Sequence, residues 1–386
     1  MVRMSEYDVI IVGAGSVGTP LAMSLGEMGI KTLVLDKKPS PGQGENKHAI
    51  GGIRATHSDP AKIITCFRSL EVFSTWEEKY GDDIEWMAGG YTFPVYREIE
   101  ENALRSILPI QKEYGLKIDF VGPDRIMEVI PGISPKDLRG GTFSPNDGSA
   151  SPLITANAFF RNAMAHGVDF RFKEEVKNLI IENGKVIGVG TRDSNFFAPV
   201  VVDAAGPFST ELCSQEGIDL PVIPESHEGA ITEPVRSFFT TMVVDLRPGP
   251  GSQNYYFYQN LHGQVVFCIT PEPPITGIDK RETSVFLPQV ARRMVDLLPR
   301  LKNIRVRRVW RGLYPMTPDG SPLVGWNREV KGLYHLTGMC GQGYMLGPGI
   351  GEIAARDISG RSAGNDSIVL KGFDPYRKFS GVEALK

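Results

Sequence analysis

The sequence predicts an α/β protein, α+β overall, in which a Rossmann-type dinucleotide-binding domain is joined to a second domain built on an antiparallel sheet. Three observations predict it. A glycine-rich turn separates an apolar run from a helical pattern near the N-terminus, and a second glycine-rich turn precedes a helical pattern near the C-terminus. Between them, from Pro221 to about Arg308, the pattern becomes β-rich.

The first turn is the more specific. Val9 to Val12 reads as a buried parallel strand, Gly13, Gly15 and Gly18 make G-x-G-x-x-G, and Pro20 onward reads as a helix pressed on the strand. Gly13 permits the turn, Gly15 with Ser16 lets backbone amides reach a pyrophosphate at the positive helix end, and Gly18 allows close packing. Asp36 closes the next strand at the spacing where a carboxylate accepts ribose hydroxyls. Lys37 and Lys38 follow at once and read as solvated while Asp36 holds the ribose position.

With 386 residues the chain suits about two domains, and 41% hydrophobic and 23% charged residues are ordinary for a globular protein. A net charge of −3 argues neither for a nucleic-acid surface nor for a polyacidic one. Four scattered cysteines with no C-x-x-C suggest neither zinc site nor disulfide framework, and reduced thiols in a cytoplasm are the simplest reading. No apolar stretch approaches membrane-spanning length, and Glu6 and Asp8 interrupt the region where a signal peptide needs an apolar core.

Residues 39 to 57 form a long loop carrying Asn46, Lys47, His48, Gly51, Gly52, Ile53, Arg54 and His57. Long loops of this kind are usually functional, and Gly51-Gly52 would let backbone lie against a flat ring. His48 and His57 are candidate catalytic residues, each with the plainer reading of a hydrogen-bonded loop histidine. Asp59-Pro60 caps a helix with Ile63, Phe67, Leu70, Phe73 and Trp76 as its core stripe. A strand over 91–96 and a helix over 98–114 follow, then Ser151-Pro152 opens another helix, with Ser151 as N-cap. Asn183-Gly184 marks a hairpin, and Val200 to Asp203 is a buried strand ending in small residues, Ala204, Ala205 and Gly206, which leave space for a ligand or for packing.

In the β-rich part, strands are expected over 228–233, 237–245, 254–260 and 264–270, with a helix over 287–298. Alternation puts Tyr256 and Tyr258 on one face, opposite Tyr255 and Phe257. The basic run from Arg300 to Arg311 reads as a solvated or subunit-facing edge. The last strand runs into Gly341-Gln342-Gly343-Tyr344-Met345, with Pro348 expected in the first turn of the following helix, whose positive end suits charge developing on a ring carbonyl.

Five segments in this order carry a resemblance: Gly13-Ala-Gly-Ser-Val-Gly with Asp36, Gly51-Gly-Ile-Arg54, Asp203-Ala-Ala-Gly206, Trp310-Arg-Gly-Leu-Tyr314 with Thr317-Pro-Asp319, and Gly341-Gln-Gly-Tyr-Met-Leu-Gly-Pro348. Over nearly its full length the chain resembles the FAD-dependent family of D-amino acid oxidase, glycine oxidase and sarcosine oxidase, and most nearly the catalytic β subunits of heteromeric dye-linked L-proline dehydrogenases and sarcosine oxidases. The tail from Phe373 to Arg377 is similar too. The resemblance implies a glutathione-reductase-like FAD fold, with residues 1–88, 146–218 and 322–372 binding FAD, 89–145 and 219–321 binding substrate, and 373–386 as a tail.

It also implies roles. Gly13, Gly15, Ser16, Gly18, Asp36 and Lys37 would hold the ADP part of a non-covalent FAD. Asn46, Lys47, His48, Gly51, Gly52 and Ile53 would lie along the pyrophosphate and isoalloxazine, Val176 would meet adenine, Ala205 and Gly206 would pass close to the cofactor, and Gly341 to Met345 would contact the pyrimidine edge. Arg54 would pair with a substrate carboxylate, a use suited to a bidentate fork, rather than brace its loop. Tyr256 and Tyr314 would border the substrate above the flavin, and His48 is a candidate beside them. The implied reaction is hydride transfer from the carbon beside an amine nitrogen to flavin N5, with no dedicated general base identifiable.

Departures from the family pattern refine this. Gly312 stands where monomeric sarcosine oxidases have the cysteine that bonds FAD, Phe267 where they keep the lysine that promotes reaction with oxygen, and Met345 where they have a carboxylate-binding lysine. Residues 140–158 lack the histidine that carries covalent FMN in heterotetrameric sarcosine oxidase. Together these favour a dehydrogenase subunit of a hetero-oligomer over a self-sufficient peroxide-producing oxidase; a non-catalytic FAD subunit is the third reading, and an FMN shared with a partner subunit is a further cofactor that the resemblance allows.

Overall fold

The computed structural model describes residues 6–380. A six-stranded sheet runs in the order Leu323–Trp326, Leu333–Thr337, Val200–Asp203, Val9–Val12, Thr32–Asp36 and Asp169–Phe172, parallel except at its first strand. Its central strand Val9–Val12 is apolar and buried at every position because both faces are covered. Val9 and Ile11 pack toward the helices Gly18–Glu27, Pro60–Ser74 and Gly343–Ile358, whereas Ile10 and Val12 meet Leu179, Val186 and Val189 of the three-stranded meander Asn178–Glu182, Lys185–Gly190 and Asn195–Phe197. The hairpin at Asn183-Gly184 has φ of 51° and 71°, the left-handed pair that such a turn needs.

An eight-stranded sheet orders as Val306–Met316, Ile223–Pro234, Gln264–Pro271, Ser252–Gln259, Met242–Asp245, Tyr91–Val95, Gly140–Ser144 and Asp119–Val121. One face, with Tyr255, Phe257 and Phe267, packs under the helix Phe286–Leu297; the other, with Tyr91, Phe93, Val244 and Tyr258, faces the first sheet's side of the molecule, as the alternation of the tyrosines predicts. The ribbon Gly52–Ile53 with Gly148–Ser149 links the two layers.

Four expectations are corrected. Ile63, Leu70, Phe73 and Trp76 are buried as expected, but Phe67 is 44% exposed and Trp76 belongs to a separate short helix, because the Pro60–Ser74 helix also turns Thr65 and Ser69 against Gly349 of the Gly343–Ile358 helix. Asp59 caps that helix through Lys62 N at 3.0 Å, but Ser151 makes no side-chain cap bond. The strand expected over 237–245 is confined to Met242–Asp245, Gln259 holding the Phe238 amide in place of a ladder partner. Pro348 lies inside the Gly343–Ile358 helix, which begins five residues earlier. The tail pairs with an earlier motif: Arg377 forms a two-pronged ion pair with Asp319 and bonds Ser321 O. Residues 381–386 lie outside the described residues.

Candidate functional site

A cavity of about 550 Å³ runs from the Gly13 turn to the inner face of the large sheet. At its first end Gly13 has φ +115°, and a Cβ there would stand 2.5 Å from Ala204 O; a Cβ on Gly18 would stand 1.9 Å from Gly13 O. These two glycines are packing devices. Gly15 differs: nothing lies within 4 Å of its missing Cβ, and it opens on the cavity just before the Gly18–Glu27 helix. Asp36 lines the cavity with its carboxylate fixed by Ala14 N and Lys38 N, both at 2.7 Å, while burial pulls its pKa upward. Lys37 lies 3.6 Å over the Phe208 ring and pairs with Glu175 at 3.9 Å, and Val176, Ala205 and Gly206 complete this end.

Midway, Glu45 is the group that the sequence reading did not single out. Its carboxylate accepts from Leu313 N at 2.9 Å, lies 3.2 Å from His48 Nδ1 and pairs with Lys280. Burial pulls its pKa up, but these three partners outweigh it and the net shift is downward. Three distant segments are thus tied at the cavity wall, which local pattern could not reveal. Gly312 has no room for a side chain, since its Cβ would meet His48 Cβ at 2.7 Å. Asn46 Oδ1 and Gln342 Oε1 are buried in the wall with no hydrogen-bond partner among the described residues.

At the far end Gly341, at φ +78°, brings backbone against Tyr314, where a Cβ would be 2.3 Å from the ring. The helix then starts at Gly343, with Tyr344 bonded to Thr155 at 3.0 Å and Met345 on the cavity. Here Arg54, 5% exposed, stands 5.7 Å from the Tyr91 ring centre and 5.5 Å from that of Phe93, its guanidinium bonded to Thr56 O. Tyr256 and Tyr314 share a hydrogen bond of 2.8 Å, and Tyr314 stacks on His227 at 3.8 Å. Burial pushes both phenols well up, so they act as neutral hydroxyls. Val244 and Thr270 complete the recess.

Three predicted cofactor contacts are placed elsewhere. Gly18 and Ile53 are packed into the core, and Lys47 lines a second cavity on the other side of its loop. His57 is buried against Cys66, away from the cavity. Phe267 points under the Phe286–Leu297 helix, so its place in the strand says nothing about oxygen. Asp203, Cys213 and His335 put ligating atoms within 4.8 Å of one another. Asn327, its oxygen accepting from Glu329 N and Val330 N, turns its amide nitrogen to His335 Nε2, so Nδ1 carries the proton, donates to Asp203 at 3.5 Å and has no lone pair for an ion.

The residues fit FAD. The open Gly15, a carboxylate at ribose spacing, unpartnered acceptors at Asn46 and Gln342, and the side-chain-free strip at Gly51, Gly52 and Gly312 form one continuous cradle. Residues 8–356 match the family described as FAD dependent oxidoreductase, DAO. The chain belongs to this family. Among relatives of this DAO-family chain, mouse mitochondrial sarcosine dehydrogenase is 23% identical over 92% of the chain, which spans only 40% of that protein's length. D-amino acid dehydrogenase 2 of Mesorhizobium japonicum is 30% identical over 64% of the chain and 59% of its own. Among solved structures, L-proline dehydrogenase from P. horikoshii superposes with a TM-score of 0.90 at 27% identity, covering 97% of this chain and 98% of that one. Glycine oxidase from Bacillus cereus gives 0.82 at 27%, covering 94% and 97%.

Proposed function

We propose that the protein oxidises the C–N bond of a small amino acid or N-substituted amino acid, of the proline, sarcosine or glycine kind, as the catalytic subunit of a heteromeric dehydrogenase. The observation that carries this is Arg54: a guanidinium sunk to 5% exposure at the ring end of the FAD cavity, flanked by aromatic faces, is a carboxylate receptor. When bound, FAD supplies the electron sink that accepts a hydride from the carbon beside the nitrogen. The chain does the rest. Arg54 holds the carboxylate; the Tyr256 and Tyr314 hydroxyls orient the amine side; Tyr91, Phe93 and Val244 exclude water. The dipole of the helix starting at Gly343 favours negative charge next to Gly341 to Met345.

A second observation supports the subunit reading. The second cavity, about 220 Å³, is lined by Lys47, Glu85, Tyr258, Arg308 and Trp310, and Ala49 and Ile50 line both cavities, so one turn of loop separates them. It suits an FMN shared with a partner, its phosphate drawn to Lys47 and Arg308. The four cysteines are buried thiols outside any disulfide, which agrees with a cytoplasmic location, and among the described residues no helix is long and apolar enough to cross a membrane. The test is an anaerobic screen of amino acids for bleaching of the yellow colour, with and without co-expressed neighbouring subunits. Bleaching without peroxide production in air supports the reading; steady peroxide from the lone chain favours the self-sufficient oxidase, and colour that nothing bleaches leaves a non-catalytic FAD subunit.

A further inference from the structure

The ribbon of Gly52–Ile53 with Gly148–Ser149 pairs Gly52 with Ser149 and Ile53 with Gly148. One step further along each strand stand Arg54 and Asp147. Asp147 is 1% exposed, its Oδ1 accepts from Ala55 N at 3.1 Å, and its own carbonyl accepts from Gly90 N at 2.8 Å. It therefore clamps the backbone just after Arg54 to the segment leading into Tyr91–Val95, the strand whose rings flank the guanidinium. Nothing in the proposed reaction uses this carboxyl.

We propose that Asp147 is the positioning residue for Arg54 and the group that takes up a proton when a substrate carboxylate binds there. The inference rests on the reading of Arg54 as the carboxylate receptor. With Arg54 charged and Asp147 ionised, the site is neutral; an arriving carboxylate would leave it with a net negative charge away from water, and protonating Asp147 removes that excess. Burial already pushes the Asp147 carboxyl up to about 7, against the pull of Ala55 N, the Ser144 hydroxyl, Arg54 and Thr56. The groups facing it from neighbouring elements are Arg54 and Tyr91; burial pushes the Tyr91 phenol up to about 12, so it stays neutral through this range. A bound anion repels the ionised Asp147 and offsets the pull of Arg54, raising the carboxyl's pKa further. The sign follows. A group whose pKa rises on binding takes up a proton, and affinity is full below its pKa in the free protein and falls as pH climbs through it.

The test is calorimetric titration of the FAD-loaded full chain with 2-furoate, a carboxylate with no amine, at pH 7.5 in two buffers of different ionisation enthalpy. The expected result is uptake of roughly half a proton per ligand and a Kd that rises severalfold between about pH 6.5 and 8.5. Asp147→Asn keeps an oxygen for Ala55 N, and in it both the uptake and the pH dependence should vanish while the flavin absorbance persists. Binding by the native chain without proton exchange, or unchanged uptake in Asp147→Asn, overturns the proposal; the first needs no variant to fold. Arg54→Ala separates the two readings: if it binds 2-furoate as tightly as the native chain, the receptor assignment fails, whereas loss of binding there with unaltered pH dependence in Asp147→Asn sinks only the role of Asp147.

Discussion

The two ends of the FAD cavity are built in opposite ways. At the phosphate end the structure is nearly all backbone: a strand, a turn and a helix from contiguous residues, with Gly13 and Gly18 set where a Cβ would fall 2.5 Å and 1.9 Å from carbonyl oxygens. At the ring end it is nearly all side chain. Arg54 directly follows the two-residue strand Gly52–Ile53, Tyr91 and Tyr256 come from separate strands of the large sheet, and Tyr314 from its edge strand. The first end is therefore intolerant of added atoms, and the second, Gly341 apart, of lost functional groups.

That contrast can be broken at either end. The largest effect expected is from Gly18→Val, whose branched side chain has no path past Gly13 O; a cost of about 4 kcal/mol or more should leave no yellow, folded protein after gel filtration. A soluble, coloured variant would mean that the turn is not close-packed. Next, Arg54→Ala should lower kcat/KM by about 3 kcal/mol, roughly a hundredfold, mainly through KM, while the flavin spectrum is retained. Steady-state kinetics on the substrate found by bleaching would show it, and unaltered kinetics would remove Arg54 from the site.

Stripping FAD, which ties the two ends together, should lower unfolding free energy by about 2.7 kcal/mol relative to protein at a hundredfold excess of FAD over Kd. A denaturant midpoint indifferent to FAD would mean that the cradle does not grip it. The smallest effect is Tyr314→Phe, which removes one hydroxyl from the pair with Tyr256 and keeps the stack on His227. It should cost about 1 kcal/mol in kcat/KM. A far larger loss would turn the tyrosine from a wall of the recess into a participant in proton movement.

The same contrast explains what could be read in advance. Gly13, Gly15 and Asp36 declare themselves because a mononucleotide turn is written within one strand, turn and helix. The facing of Tyr256 was legible because alternation in a strand is local. Glu45 and Lys280 were not, since their meaning is their pairing across the chain. Lys47 was misplaced because a loop's neighbouring side chains diverge, here into two different cavities. The residue type of Pro348 alone points to a first turn, whereas the glycines at 347, 349 and 351 let the helix run on through it against Ser16, Thr65 and Pro20.

By itself the sequence determined the class of cofactor, the strand, glycine turn and helix of the nucleotide-binding motif, and the layered architecture, because each follows from hydrogen bonding and apolar burial between near neighbours along the chain. Only the tertiary structure decided which arginine would be sunk beside which rings, that Asp147 would stand behind it, and that a single loop would divide two cavities. Those outcomes depend on charges desolvated by residues far away in sequence, and desolvation is a property of the assembled layers and not of any one segment.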